Sequence, residues 1–156
     1  MFRVTERAVL DHPAEVVWEY LIAFEQVPLW EHGVLEVRWL GATYPKVGDK
    51  ISARRLYAGR ESRLEGEIIE YDDGHFAAMR LSGGPLEAVE VRYSVERLGD
   101  QRSLVTYHGS GSLRGPLRLL HPLLSVVGRA EARGNLARLG RRIDSGVPPT
   151  SGIHAG

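Results

Sequence analysis

Hydrophobic and polar positions change their period three times along the chain. In "FRVTERAVL", Phe2, Val4, Ala8 and Leu10 share one face at period two, as in a half-buried strand. "HPAEVVWEYLIAF" then sets Val17, Tyr20, Leu21 and Phe24 at i, i+3, i+4 and i+7, a single apolar helical stripe. Pro13 suits the first turn of that helix, Asp11 and His12 are candidate caps, and Glu15 favours the positive end of the helix dipole. Pro28 ends or kinks whatever helix contains Phe24 to Val27. From Val34 the period is two again. "VLEVRWLG" sends Leu35, Val37 and Trp39 one way, and Glu36 and Arg38 the other. "KISARRLY", "SRLEGEIIEY", "HFAAMRLS", "EAVEVRYSVERL" and "SLVTYHGSGSL" follow as strands, separated by turn formers such as "AGRE", "DDG", "GGP" and "GDQR". In the fourth of these, Val89, Val91, Tyr93 and Val95 alternate with Glu90, Arg92, Ser94 and Glu96, one face dry and one wet. "PLRLLHPLLSVVGRAEARGNLARLGRRID" returns to a helical period. Pro116 stands at its start, Pro122 is expected to kink it, and Ala132, Leu136, Leu139 and Ile143 lie on one stripe.

The predicted order is strand, two short helices, six strands, one long helix. Hairpin-length links make the six strands an antiparallel meander, and a sheet with one dry face needs a cover. The long C-terminal helix is the natural cover, so the class is α+β. One domain over residues 1–145 is expected. Residues 146–156, "GVPPTSGIHAG", are read as a flexible tail of turn formers.

Composition narrows the chemistry. The chain has 156 residues and no cysteine, which excludes disulfides, thiolate metal sites and a cysteine nucleophile, and fits a cytoplasmic location. Its start carries charges and no long apolar run, unlike a signal peptide, and no apolar stretch of about 18 residues is present to span a membrane. The net charge of zero is unevenly spread: between Arg114 and Asp144 seven arginines face only Glu131 and Asp144. The last helix is therefore basic on an otherwise acidic body.

Four local words occur in order: the entry "DHPAEVVWEYLIAFEQVPLW", then "VLEVRWLG", then "VGDKISA", then "GEIIEYDDG". Together with the element order, they make the chain resemble the START-like (SRPBCC) superfamily over about Val4 to Asp144. That resemblance implies a helix-grip fold, a curved antiparallel sheet of about seven strands with two short helices and the long C-terminal helix packed over its concave face. It also implies a cavity between sheet and helix, closed at one end by the short helices, with Trp30 marking the chain's return into the sheet. Members bind lipids, sterols, hormones or polyketides there, and some are cyclases, aromatases or hydrolases. One fold hosts many activities, so the resemblance selects none.

Candidate chemistry is sparse. The six histidines are scattered, with no His-Glu-x-x-His, so no metal is expected, and no cofactor either. There is no Gly-x-Ser-x-Gly elbow. In "GSGSLRG" the glycine spacing departs from phosphate loops and no Lys-Ser/Thr follows; the glycines are read as thinning a strand where the helix or a ligand approaches. Two strands admit two registers each. The last puts Val105, Tyr107 and Gly109 inside, or else Leu104, Thr106 and His108; the glycine positions and the habit of the similar family favour the first. "HFAAMRLS" turns inward either Phe76, Ala78 and Arg80, or Ala77, Met79 and Leu81. The candidate ligand-binding residues are Trp30, Trp39, Leu64, Ile68, Met79, Arg80, Tyr93, Tyr107 and His108; no catalytic residue is assigned.

Three functions are compatible with these features. The first is binding of a hydrophobic or amphipathic small molecule in an internal cavity. The second is a cyclase/aromatase-type enzyme, with Tyr93, Tyr107, Arg80 and His108 as proton donors and oxyanion clamp. The third is a peripheral membrane or partner contact through the basic last helix and "LLHPLLSVV". No nucleic-acid partner is expected.

Overall fold

The structure, a computed structural model, describes residues 1–42 and 44–149. Strand β1 (Phe2–Leu10) leads into helix α1 (Ala14–Ile22) and a 3-10 helix (Phe24–Leu29). Strands β2 (Val34–Trp39), β3 (Lys50–Tyr57), β4 (Arg60–Asp72), β5 (Phe76–Gly83), β6 (Leu86–Gly99) and β7 (Arg102–Leu113) follow. A second 3-10 helix (Gly115–Leu120) opens directly into α2 (His121–Asp144). The strands form one curved antiparallel sheet in the order β1-β7-β6-β5-β4-β3-β2, with α2 over the concave face: the expected helix-grip α+β fold.

The apolar stripes are buried as their spacing requires. Val17, Tyr20, Leu21 and Phe24 are buried on the α1 side, and Ala132, Leu136, Leu139 and Ile143 on α2. Val89, Tyr93, Val95 and Val105 are buried on β6 and β7, so the last strand takes the register with Val105 and Tyr107 inside. On β5, Ala77, Met79 and Leu81 turn inward and Arg80 outward.

Local details depart from the sequence reading for identifiable reasons. Pro13 sits one place before α1, and its carbonyl accepts the N–H groups of Val16 and Val17 at 3.1 Å each. Neither Asp11 nor His12 caps the helix; His12 bonds Asp144 at the far end of α2 instead, at 2.6 Å. Pro122 does not kink a helix but lies in the first turn of α2, where its missing N–H is harmless. Leu35 is exposed because a register shift between Val34 and Glu36 breaks the alternation of β2. The stretch read as a tail lies beyond the described residues from 150 onward. Before that point, the Val147 carbonyl accepts the Tyr20 hydroxyl.

The "VGD" turn has a packing role. Asp49 is buried and accepts hydrogen bonds from the Trp39 indole and the Lys46 N–H, each at 3.1 Å. Gly48 occupies the left-handed region (φ 96°) that the turn demands. Trp39 is thereby fixed against Phe24 in an edge-on contact at 6.2 Å, which ties the first 3-10 helix to the sheet.

Glycine in mid-strand marks close approach. A Cβ on Gly66 of β4 would lie 2.1 Å from the Arg80 carbonyl oxygen of β5, whereas one on Gly99 would meet nothing within 4 Å. Gly66→Ala should therefore destabilise the fold by about 1–3 kcal/mol, and Gly99→Ala should stay within about 0.5 kcal/mol of the parent. Urea unfolding of the two variants checks this; equal midpoints would remove the packing argument.

Candidate functional site

A cavity of about 800 Å³ lies between α2 and the sheet, and the way α2 is seated creates it. The helix packs on β1 and β7 and touches α1, while none of strands β2–β6 approaches its backbone. Gly128 brings it close to β1, since a Cβ there would fall 2.7 Å from Val4 Cγ2; at Gly140 the corresponding distance to Leu10 is 3.2 Å. Leaning on one edge of a curved sheet, the helix leaves the other side open. The walls are mainly apolar. Leu64, Met79, Leu81, Val89 and Val91 come from the sheet, Leu21 and Phe24 from the short helices, and Leu124, Val127 and Ala132 from α2.

One part of the wall is polar. On β3 the inward phase runs Ile51, Ala53, Arg55, Tyr57, and all four line the cavity. Arg55 bonds Glu131 of α2 at 2.6 Å, lies 3.7 Å from Glu31 and sits 5.4 Å above the Tyr57 ring. Burial works against the guanidinium charge, but the field of Glu31, with smaller contributions from Tyr57 and Glu131, holds its pKa above the ordinary arginine value. Glu31 is raised above the usual carboxylate range, first by burial and then by Glu131, with Arg55 and Arg138 opposing. Asn135 fixes the neighbouring backbone through its side-chain oxygen, which accepts the His32 N–H at 2.9 Å and also bonds Arg138. Arg138 in turn donates to the Trp30 carbonyl at 2.9 Å.

Tyr93 and Tyr107 stand beside this group with ring centroids 5.1 Å apart, and Trp30 meets Tyr93 edge-on at 5.6 Å. Burial, reinforced by the negative field of Glu31, pushes both phenols well above the ordinary tyrosine value. They are therefore neutral donors at any physiological pH. Neither hydroxyl has a hydrogen-bond partner among the described residues. Gly109 is needed here: a Cβ on it would lie 2.6 Å from the Tyr107 hydroxyl. The glycines of β7 thus make room for Tyr107 and, at Gly111, for Val89 and the Ala88 carbonyl, rather than for the long helix.

Of the residues singled out from sequence, Trp30, Leu64, Met79, Tyr93 and Tyr107 line the cavity. Trp39 and Ile68 are buried in the packed core beyond its walls. Arg80 and His108 are on the opposite face of the sheet, because each is one residue out of phase with an inward neighbour. Arg80 pairs with Glu90 at 3.0 Å, and His108 Nδ1 shares a 2.7 Å hydrogen bond with the Thr5 hydroxyl. The sequence reading missed Arg55, Glu31 and Glu131. The signal for Arg55 was present, since Ile51 and Ala53 set an apolar phase on β3 that Arg55 continues. No group of three or more metal-ligating side chains occurs among the described residues.

A family model described as "Polyketide cyclase / dehydrase and lipid transport" matches residues 1–144. Among solved structures, a START superfamily protein from Mycobacterium smegmatis superposes with a TM-score of 0.78 at 17% identity, covering 94% of this chain and 100% of that one. The Zhui aromatase/cyclase from Streptomyces sp. R1128 gives 0.76 at 13% identity, with 91% and 93% covered. A protein from Thermus thermophilus gives 0.74 at 17% identity, with 92% and 98% covered. These likenesses are of fold. No curated protein matches the sequence.

The ion group has consequences for stability. Arg55→Met leaves Glu31 and Glu131 without their shared cation and should destabilise by about 2–4 kcal/mol at neutral pH. Glu31 itself has a raised folded pKa, so the folded chain keeps a proton that the unfolded chain has lost. Its contribution is fully present below the ordinary carboxylate value and is lost as pH rises through the raised one. Relative to Glu31→Gln, the parent should therefore lose stability as pH rises from the ordinary carboxylate value, about 4, through the raised one. Urea midpoints of the two proteins across that range test the sign; a difference independent of pH would mean that Glu31 titrates normally.

Proposed function

Because the chain belongs to the polyketide cyclase/dehydrase and lipid transport family, we propose that its cavity binds an amphipathic small molecule. The ligand has an apolar body of lipid, polyketide or aromatic type and an oxygen-bearing end. What carries this reading is one mainly apolar cavity of about 800 Å³ whose polar groups gather around Arg55. That volume lies within the range of sites for drug-sized ligands. Leu86, Val89 and Leu113, with Phe2 and Leu124 beside them, form a separate apolar cluster suited to the body of such a molecule. The unpartnered hydroxyls of Tyr93 and Tyr107 suit its oxygen end.

Native mass spectrometry of the purified chain, with thermal-shift screening of fatty acids, sterols and aromatic polyketides, tests the proposal. A retained or stabilising apolar compound is expected. Ala53→Phe, which projects a ring into the cavity, should abolish the stabilisation while leaving a folded protein. Tyr93→Phe should weaken oxygenated ligands about five- to tenfold and leave hydrocarbon analogues unchanged. Silence across a broad panel would sink the idea.

A second reading is an enzyme of cyclase/aromatase type. It is favoured by the adjacency of a buried carboxyl with a raised pKa, two neutral phenols and a cation, a set able to donate protons and hold an oxyanion. In this version Arg55, Tyr93 and Tyr107 take the roles, and Arg80 and His108 take none. Cyclisation of a linear poly-β-ketone should then fall about 100-fold in Tyr93→Phe or Arg55→Ala. Turnover unchanged in both variants would remove this reading.

A further inference from the structure

We propose that the apolar face at the cavity mouth docks onto an anionic lipid bilayer. The second 3-10 helix buries no residue, and the first turns of α2 keep Leu124, Gly128 and Ala132 inward while turning the opposite face to solvent. Leu119 is 85% exposed, Val126 69%, Leu123 58% and Val127 50%, with Leu117 and Leu120 at about the exposure of ordinary surface residues. Six large aliphatic side chains within eleven residues are far more than the isolated exposed leucines that need no explanation.

The charges beside this face select the occupant. From Arg114 to Ala130 the chain holds Arg114, Arg118 and Arg129 and no aspartate or glutamate. Arg118 is held by Glu87 at 2.6 Å, while Arg114 and Arg129 have no acidic partner among the described residues. A two-fold dimer through this face would bring two copies of the same cationic fringe together, at an electrostatic cost. A bilayer containing anionic headgroups offers the complementary sign, with acyl chains behind it for the leucines and valines. No helix among the described residues is long and apolar enough to cross a membrane, so the contact is peripheral.

The face is also continuous with the cavity. Leu117, Leu120 and Val127 belong both to the exposed patch and to the cavity wall. A bilayer seated there would lie against the opening, and an apolar molecule would pass between acyl chains and cavity without crossing water. The docking face itself depends on exposure and charge, whatever occupies the cavity.

Flotation of the full chain with vesicles of phosphatidylcholine mixed with phosphatidylglycerol, against phosphatidylcholine alone, is the test. Binding to the mixed vesicles that weakens with added salt is expected. The double variant Leu119→Asp with Val126→Asp should lose at least about tenfold in affinity, and Arg129→Glu should lose part of it. All three positions are solvent-facing and outside the cavity wall, so the variants should melt like the parent and take up soluble ligand as it does. No binding to mixed vesicles, undiminished binding by the double variant, or a concentration-dependent dimer dissolved by Leu119→Asp without vesicle binding would each overturn the proposal.

Discussion

The seat of α2 on the edge strand governs the rest of the molecule. Gly128 and Gly140 lie against Val4 and Leu10, and the helix settles at the β1–β7 side of a sheet that curves away from it. A side chain of ordinary size at Gly128 would push the helix outward or force Val4 aside. Farther along, Leu136, Leu139 and Ile143 complete the packing with Val17, Leu21 and Trp30, so one half of α2 is core. The other half has Leu124, Gly128 and Glu131 toward the cavity and aliphatic residues toward solvent. One helix thus changes from packing element to cavity roof along its length.

A roof anchored at one edge needs some tie on the other, and the ion group supplies it. Arg55 reaches from β3 to Glu131 of α2 across a space in which the two backbones do not pack. Bringing these charges out of water is unfavourable, and their mutual attraction offsets the desolvation only because one cation faces two carboxylates and an aromatic ring. The raised Glu31 pKa reflects an incomplete offset. Buried polar groups of this kind weigh on stability, and here they stand at the wall of an apolar cavity, where the proposed ligand would meet them.

Much of this was legible before the structure. The periods of two and 3.6, the turn chemistry and the four family-like words gave the element order, the sheet and its cover. Residues with a clear phase, such as Tyr93 between Val91 and Val95, were placed correctly because a strand offers only two faces. Failures came where that binary choice lacked a marker. Arg80 and His108 attracted attention for their chemistry, and only the pairing of β4, β5, β6 and β7 assigns them outward. Leu35 followed the alternation on paper, but a bulge, which no periodicity reports, turned it to solvent. Glu31 lies in the irregular stretch after Trp30, where no period applies, and Glu131 is an ordinary charged helix position until the tertiary fold sets Arg55 opposite it.

The charge balance around Arg55 bears on which ligand end fits best. Glu31 and Glu131 share Arg55, Arg138 also acts on Glu31, and the two phenols nearby are neutral. An anionic headgroup entering here would meet in Arg55 a cation already shared by two acids and would have to displace one of them. A neutral carbonyl or hydroxyl meets no such obstacle: it accepts from Tyr93 or Tyr107, whose hydroxyls otherwise lack partners, and displaces no ion pair. A ketone, phenol or alcohol on an apolar body is therefore the better electrostatic match than a fatty carboxylate. On the enzyme reading the preference is the same, since a ketone oxygen would accept from these phenols beside Arg55.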